Sequence, residues 1–280
     1  MTKNKIESDY LLSRINEMFK IVDISNPIII AQSEKNAIQI NKTQNYDRVP
    51  IKGENDNIEE YYDSNAQNRN KIIKIKPNDL ISESYGILET FNYFLNKDFY
   101  FVLTGNKITN MIHYSDLNKP LVLSAIYTQI AYCEIAIREY LKCKNKYGNN
   151  EEELKNFLES MKIKVPCIEK HIRDAIKRFD CNKKNNIETN VLDELHFYDE
   201  LILFRELISM LSDDQIIKFK ENVNLDGNKI TLYKNLRNYI MHSKKQIIKK
   251  KIYDITKWVD FLKTCQNIIS YVETCLNSRN

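Results

Sequence analysis

Residues 123–140 read LSAIYTQIAYCEIAIREY. In this stretch Leu123, Ile126, Ile130, Cys133, Ile137 and Tyr140 recur every three or four places, the spacing that lines one face of a helix. The whole chain holds only 5 Gly and 5 Pro, so long uninterrupted helices are affordable. The segment predicts a helix ending near Asn145, and it marks a change in the chain. Strand signals, frequent before residue 119, stop there.

After it, Asn149-Asn150 followed by Glu151-Glu152-Glu153 supplies a cap and an acidic first turn for the next helix. Further helices are predicted at about 166–179, 191–211, 213–222, 230–242 and 253–277. Ser212 with Gln215 fits a capping box, and Trp258, on a spacing shared with Ile255, Val259 and Leu262, reads as core. Residues 119–280 thus predict an antiparallel bundle of about five or six helices.

The preceding residues carry mixed signals. Asn4 is an acceptable N-cap for a helix bearing Ile6, Tyr10, Leu11, Ile15 and Phe19. Ser33 can cap a second helix carrying Ala37, Ile38 and Ile40. Arg48-Val49-Pro50-Ile51 then reads as a strand, Gly53 to Asn57 as a turn, Ile58 to Tyr62 as a strand, and Asp63 to Asn70 as a connection. The order recurs. Ile72 to Lys76 is strand-like, Ser84 to Leu95 an amphipathic helix, and Asp98 to Leu103 a β-rich run. Thr104-Gly105-Asn106-Lys107 supplies hairpin chemistry before a strand from Ile108 to His113. The fold class read from the sequence is therefore an α+β N-terminal pair of helix–strand–turn–strand repeats, with copies at about 5–64 and 70–118, followed by an all-α bundle.

Composition narrows the function classes. The chain has 280 residues, 42% of them hydrophobic and 29% charged, an ordinary balance for a folded protein of one or two domains. The start, MTKNKIESDY, has no apolar leader, and runs such as Pro27-Ile28-Ile29-Ile30-Ala31 are too short to cross a bilayer. The 6 Cys are scattered without a C-x-x-C pair, which gives no metal or redox spacing and points to reduced buried thiols. No phosphate-binding loop or nucleophile elbow is present. A cytoplasmic protein without a membrane segment is expected. The net charge of +4 is uneven, with 15 Lys+Arg against 16 Asp+Glu in residues 1–120 and 27 against 22 in 121–280. The second half is thereby suited to an anionic partner.

One late segment gathers chemistry. Residues 231–243 read TLYKNLRNYIMHS. Arg237, Asn238 and His242 put a phosphate-binding fork, an amide and an imidazole close together in an otherwise apolar helix. Asn238 and His242 are four apart and share a face. Arg237 and His242 are five apart, roughly 140° around an ideal helix, so a bend, the reach of the Arg side chain or a second copy must bring them together. A histidine exchanges protons near neutral pH, and a guanidinium stabilises charge building on phosphate oxygens. That combination suits RNA cleavage, in which a 2′-hydroxyl loses a proton and attacks the adjacent phosphate. Lys234, Lys244, Lys245, Lys249, Lys250 and Lys251 flank the segment and suit a polyanion. Tyr239 and Tyr253 suit stacking on bases. His171 reads as a helix-surface residue and His196 as structural, with Asp199, Glu200, Arg205 and Glu206 near enough to buttress a site.

Two resemblances follow from these residues. Arg237-Asn238-Tyr239-Ile240-Met241-His242, on a late helix of a bundle, resembles the Arg-x4–6-His motif of HEPN domains. That resemblance implies a metal-independent endoribonuclease of toxin or antiviral-defence type, acting as a homodimer whose two motifs share one cleft. An antitoxin partner would accompany a toxin role. The repeat, through Tyr46-Asp47-Arg48-Val49-Pro50-Ile51 and through residues 99–108 and 112–117, resembles a pair of CBS domains. This second likeness implies an adenine nucleotide such as AMP or ATP as a regulatory ligand. Asp116 would hold the ribose, and His113 stands where the family usually has a hydroxyl. Tyr61-Tyr62-Asp63 matches the pattern poorly in the first copy. The alternative reading is a non-catalytic nucleotide-binding regulator whose helical domain binds RNA or a protein.

Overall fold

The computed structural model describes residues 14–53, 57–66, 71–144, 150–211, 214–242, 246–249 and 251–277, with 214, 215, 251 and 252 described by backbone alone. The chain is mixed α/β, with small sheets in its N-terminal part and helices after them. It divides into two compact units. Among the described residues, one holds those of 15–125 with those of 246–257, and the other holds Arg14 with those of 126–242 and 258–277.

In the first unit, strand β1 (Asn26–Pro27) precedes helix α1 (Glu34–Gln44), then come β2 (Arg48–Lys52), β3 (Ile58–Asp63) and β4 (Ile72–Lys74). Ser33 caps α1 as expected, its hydroxyl accepting from the Asn36 amide at 3.3 Å. Strands β2, β3 and β4 form an antiparallel three-stranded sheet. Strand β5 (Leu80–Ser82), helix α2 (Ile87–Tyr93), β6 (Phe99–Thr104) and β7 (Lys107–His113) follow, in a four-stranded sheet of order β1-β7-β6-β5. The β6–β7 hairpin turns at Gly105, which sits at φ +59°, a backbone region glycine adopts without steric cost.

The helix-then-hairpin order occurs twice, and each hairpin carries a parallel partner on its first strand. Ala31 bridges Ile51 in the first copy, while β5 pairs with β6 in the second. The start of the second copy differs from expectation. Ile72–Lys74 belongs to the first sheet, and Leu80–Ser82 opens the second. Three residues are too few to show a strand period, and a parallel pairing is fixed by its helical crossover rather than by local sequence. The sheets meet through Tyr61, Phe99 and Phe101, whose rings pack edge to face at 5.3–5.6 Å, with Arg48 over the Phe99 ring at 4.1 Å. Residues 246–249 return to this unit because the Asn118 carboxamide accepts from the amides of Ile247 and Ile248.

The helical part begins with α3 (Pro120–Lys144) and continues through α4 (Glu151–Lys164), α5 (Glu169–Lys184), α6 (Phe197–Ser209), α7 (Asp214–Asn222), α8 (Gly227–Met241) and α9 (Lys251–Asn277). These are seven helices among the described residues, where five or six were predicted. Asn150 caps α4 in a capping box with Glu153, as its sequence promised. The predicted 191–211 helix is interrupted. Val191–Glu194 is a 3-10 turn and α6 starts only after His196, because His196 and Asp199 form a capping box that begins a new helix. Ile126, Ile130, Cys133, Ile137 and Tyr140 are buried along α3, and Trp258 is buried too. Helix α3 is also the one described helix long and apolar enough to cross a membrane. Its buried stripe is the pattern of a core helix. Most of the predicted first helix, including Ile6, Tyr10 and Leu11, lies outside the described residues, as do Ser212 and the Gln215 side chain.

Candidate functional site

Helix α8 is started by Asp226, whose carboxylate accepts from the Lys229 amide at 2.8 Å. Ile230, Tyr233, Leu236 and Ile240 are its buried stripe. Tyr233 is locked into the core, stacked on Phe261 at 4.8 Å and donating its hydroxyl to Asp260 at 2.7 Å. Burial raises its phenol far above the ordinary range. With that stripe inward, the row Lys234, Asn238, His242 runs along the adjoining face at intervals of four. The helix ends at Met241, so His242 is the C-cap, at φ −96° and ψ 16°.

Those residues line a cavity of about 450 Å³ with Arg237, His171 on α5, and His196, Phe197, Tyr198 and Asp199 at the start of α6. Three of the chain's 4 histidines therefore meet in one place. Arg237 and His242, which point apart on a lone helix, line this cavity within a single chain. The Lys234 ammonium lies 4.9 Å from the centre of the Tyr198 ring.

His171 lies at the helix surface, as its sequence suggests, with 40% of its side chain exposed, and it is held there by a partner. Its Nδ1 donates to Oδ1 of Asp199 at 2.7 Å, and Asp199 is 0% exposed. A carboxylate oxygen accepts, so this pairing favours the tautomer that carries hydrogen on Nδ1 and leaves Nε2 to other partners. The other oxygen, Oδ2, accepts from the His196 amide at 3.3 Å, and the two imidazole rings lie 6.3 Å apart at 88°. The same carboxylate thus caps α6 and orients a histidine. His196 had been read as structural, and it lines the cavity as well as starting the helix.

Behind Arg237 stands a chain of ion pairs. Its Nε donates to Glu134 of α3 at 3.0 Å. Glu134 also faces Arg138, which binds Glu200 at 2.6 Å and Asp193 at 3.2 Å. Glu200 is fully buried, and its Oε2 has no hydrogen-bond partner among the described residues. Burial pushes its carboxyl up to about 8, opposed by Arg138 and reinforced by Glu134. Arg138 is itself held above its ordinary value by Glu200 and Asp193, against the effect of burial. Of the four residues considered as buttresses, Asp199 touches the site directly and Glu200 anchors the network behind it. Arg205 and Glu206 pair with each other at 2.8 Å, away from this cavity.

No family model, curated protein or solved structure matches this chain.

Of the flanking lysines, Lys234 lines the cavity. Lys249 belongs to the other unit, its amide donating to Asp254 at 2.7 Å. Lys244, Lys245 and Lys250 lie outside the described residues, as does the side chain of Lys251. In the first unit, both oxygens of Asp116 are engaged. Asn26 donates to them at 3.1 and 3.2 Å, the His113 amide at 2.8 Å, and Lys119 pairs at 3.1 Å. The His113 ring meets Ser115 at 2.8 Å, and burial lowers its pKa, helped by Arg48 and opposed by Asp116 and Asp47. A ribose at Asp116 would have to displace Asn26 or Lys119. Among the described residues, no group of three His, Cys, Asp or Glu side chains is arranged to hold a metal ion.

Sequence reading missed His171 and Glu134. Neither carries a local signal, since each acts through a partner on another helix. Asp199 had one: its place three residues after His196 is the spacing of a capping box.

Proposed function

We propose that the helical unit is an endoribonuclease of HEPN type, with Arg237, Asn238 and His242 at its centre. The observation that supports this reading is the cavity itself, which gathers Arg237, Asn238, His242 and Lys234 with further histidines in a space of about 450 Å³. A nucleotide phosphate needs cationic donors, and Arg237 and Lys234 supply a fork and a point charge. Proton transfer to and from ribose and leaving-group oxygens needs groups that titrate near neutrality, which histidine provides. Glu134 fixes Arg237 from behind, so the guanidinium is oriented before substrate arrives. Asn238, one helical turn before His242, orients the imidazole or the phosphate. A second copy would bring a further motif to the cleft, and the CBS-like unit, with an adenine nucleotide as ligand, would bias the pairing. A toxin or defence role, with an antitoxin where needed, belongs to the same proposal.

The test is cleavage of single-stranded RNA in EDTA, with and without AMP or ATP, by the full chain and by Arg237→Ala and His242→Ala. The expected result is cleavage by the parent chain that falls at least ~100-fold in each variant. Mixing the two inactive variants and regaining activity would place the motif in a shared cleft. No cleavage by the parent chain under any condition would overturn the reading in favour of a non-catalytic regulator.

A further inference from the structure

We propose that His171, oriented by Asp199, is the general base of the cleavage site, and that His242 is its acid. This inference rests on the ribonuclease reading and adds a residue that the Arg-to-His motif does not contain. Three observations carry it. His171 on α5 and His242, the C-cap of α8, line one cavity. The His171 Nδ1 is fixed by a carboxylate with no solvent exposure. That carboxylate cannot swing away, because its second oxygen holds the His196 amide at the start of α6. A histidine needed only for packing or solubility has no use for a buried anionic partner, and burying a carboxylate is costly unless it is paired.

With Nδ1 committed to Asp199, Nε2 is the nitrogen left to exchange protons. In the neutral ring Nε2 takes the proton from a ribose 2′-hydroxyl. The 2′-oxygen then forms a bond to phosphorus, and the bond from phosphorus to the 5′-oxygen breaks. The departing 5′-oxygen keeps the electron pair and takes a proton from the His242 imidazolium. The products are a 2′,3′-cyclic phosphate and a 5′-hydroxyl, and water returns each histidine to its starting state. Arg237, held by Glu134, faces the phosphate while its charge builds. Asp199 is a positioning residue that acts through His171.

The experiment compares the parent chain with His171→Gln, His171→Gly, Asp199→Asn and His242→Ala. Single-turnover rates are measured from pH 5 to 9, and affinity is measured with an RNA carrying 2′-deoxyribose at the cleaved position. His171→Gln is expected to lower the rate at least ~100-fold with unchanged affinity, and to abolish the rise of rate from acidic to neutral pH. Added imidazole should restore part of the activity of His171→Gly and none of that of His242→Ala at high pH, where neutral imidazole is a base and not an acid. Asp199→Asn should lower the rate while leaving affinity unchanged. Parent-like rates in His171→Gln, alongside a silenced His242→Ala, would overturn this proposal and leave the ribonuclease reading standing. A parent chain that never cleaves would overturn both.

Discussion

Glu200 makes a sharp test of the hydrogen-bonded network behind Arg237. Its carboxyl is fully buried and binds Arg138 through one oxygen, while the other has no partner among the described residues. Burial raises it from 4.5 to about 8. Between those two values the folded chain keeps a proton that the unfolded chain has released. Stability from this group is therefore complete below about 4.5 and is lost as pH rises, at about 1.4 kcal/mol per unit. Over the whole interval the loss reaches about 5 kcal/mol, a large share of a typical total stability of roughly 5–15 kcal/mol. Glu200→Gln replaces the carboxyl with a neutral group of similar shape whose oxygen still accepts from Arg138. Urea unfolding of the parent chain and the variant at pH 5, 6, 7 and 8 isolates the effect, because every other titrating group cancels in the difference. The variant should match the parent within about 1 kcal/mol at pH 5 and gain on it steadily toward pH 8. Parallel curves, with a constant gap between the two proteins, would refute the reasoning and show that Glu200 stays ionised beside Arg138.

Other outcomes follow from the same geometry. Lys234→Ala should weaken binding to an uncleavable single-stranded RNA and reduce the dependence of log Kd on log salt by about 0.7, as loss of one phosphate contact does. Trp258→Ala should cost about 3–5 kcal/mol in urea unfolding, since that ring is 1% exposed and touches Phe261. In the first unit, titration calorimetry with AMP or ATP should give binding heat that Asp116→Asn diminishes. Equal heats in both proteins would remove Asp116 from the ligand. Gly86→Ala should destabilise the same unit, because an added Cβ would stand 2.0 Å from the Asn16 carboxamide oxygen. A thermal midpoint equal to the parent's would show that Asn16 moves aside without cost.

Much of this protein is determined by local pattern. The stepping of Ile126, Ile130, Cys133, Ile137 and Tyr140 dictates the long helix because one face must be buried, and the Ser33 and Asn150 caps dictate where two other helices begin. Gly105 dictates the hairpin, since few other residues accept its backbone angle. Arg237, Asn238 and His242 were legible as a chemical group because residue types and spacing are local facts. Tertiary structure decided what surrounds them. Strand β5 exists only because β6 lies beside it, and the helix expected at 191–211 is divided by the capping box at His196 and Asp199. The separation of Arg237 from His242 around one helix left their meeting unresolved. Packing of α6 against α8 makes them walls of one cavity, which His171 of α5 joins, fixed by a carboxylate 28 residues away in the chain. Sequence determines which groups can do chemistry. Only the packed helices decide which of them face each other, because side-chain direction across helices is set by burial and not by neighbours in the chain.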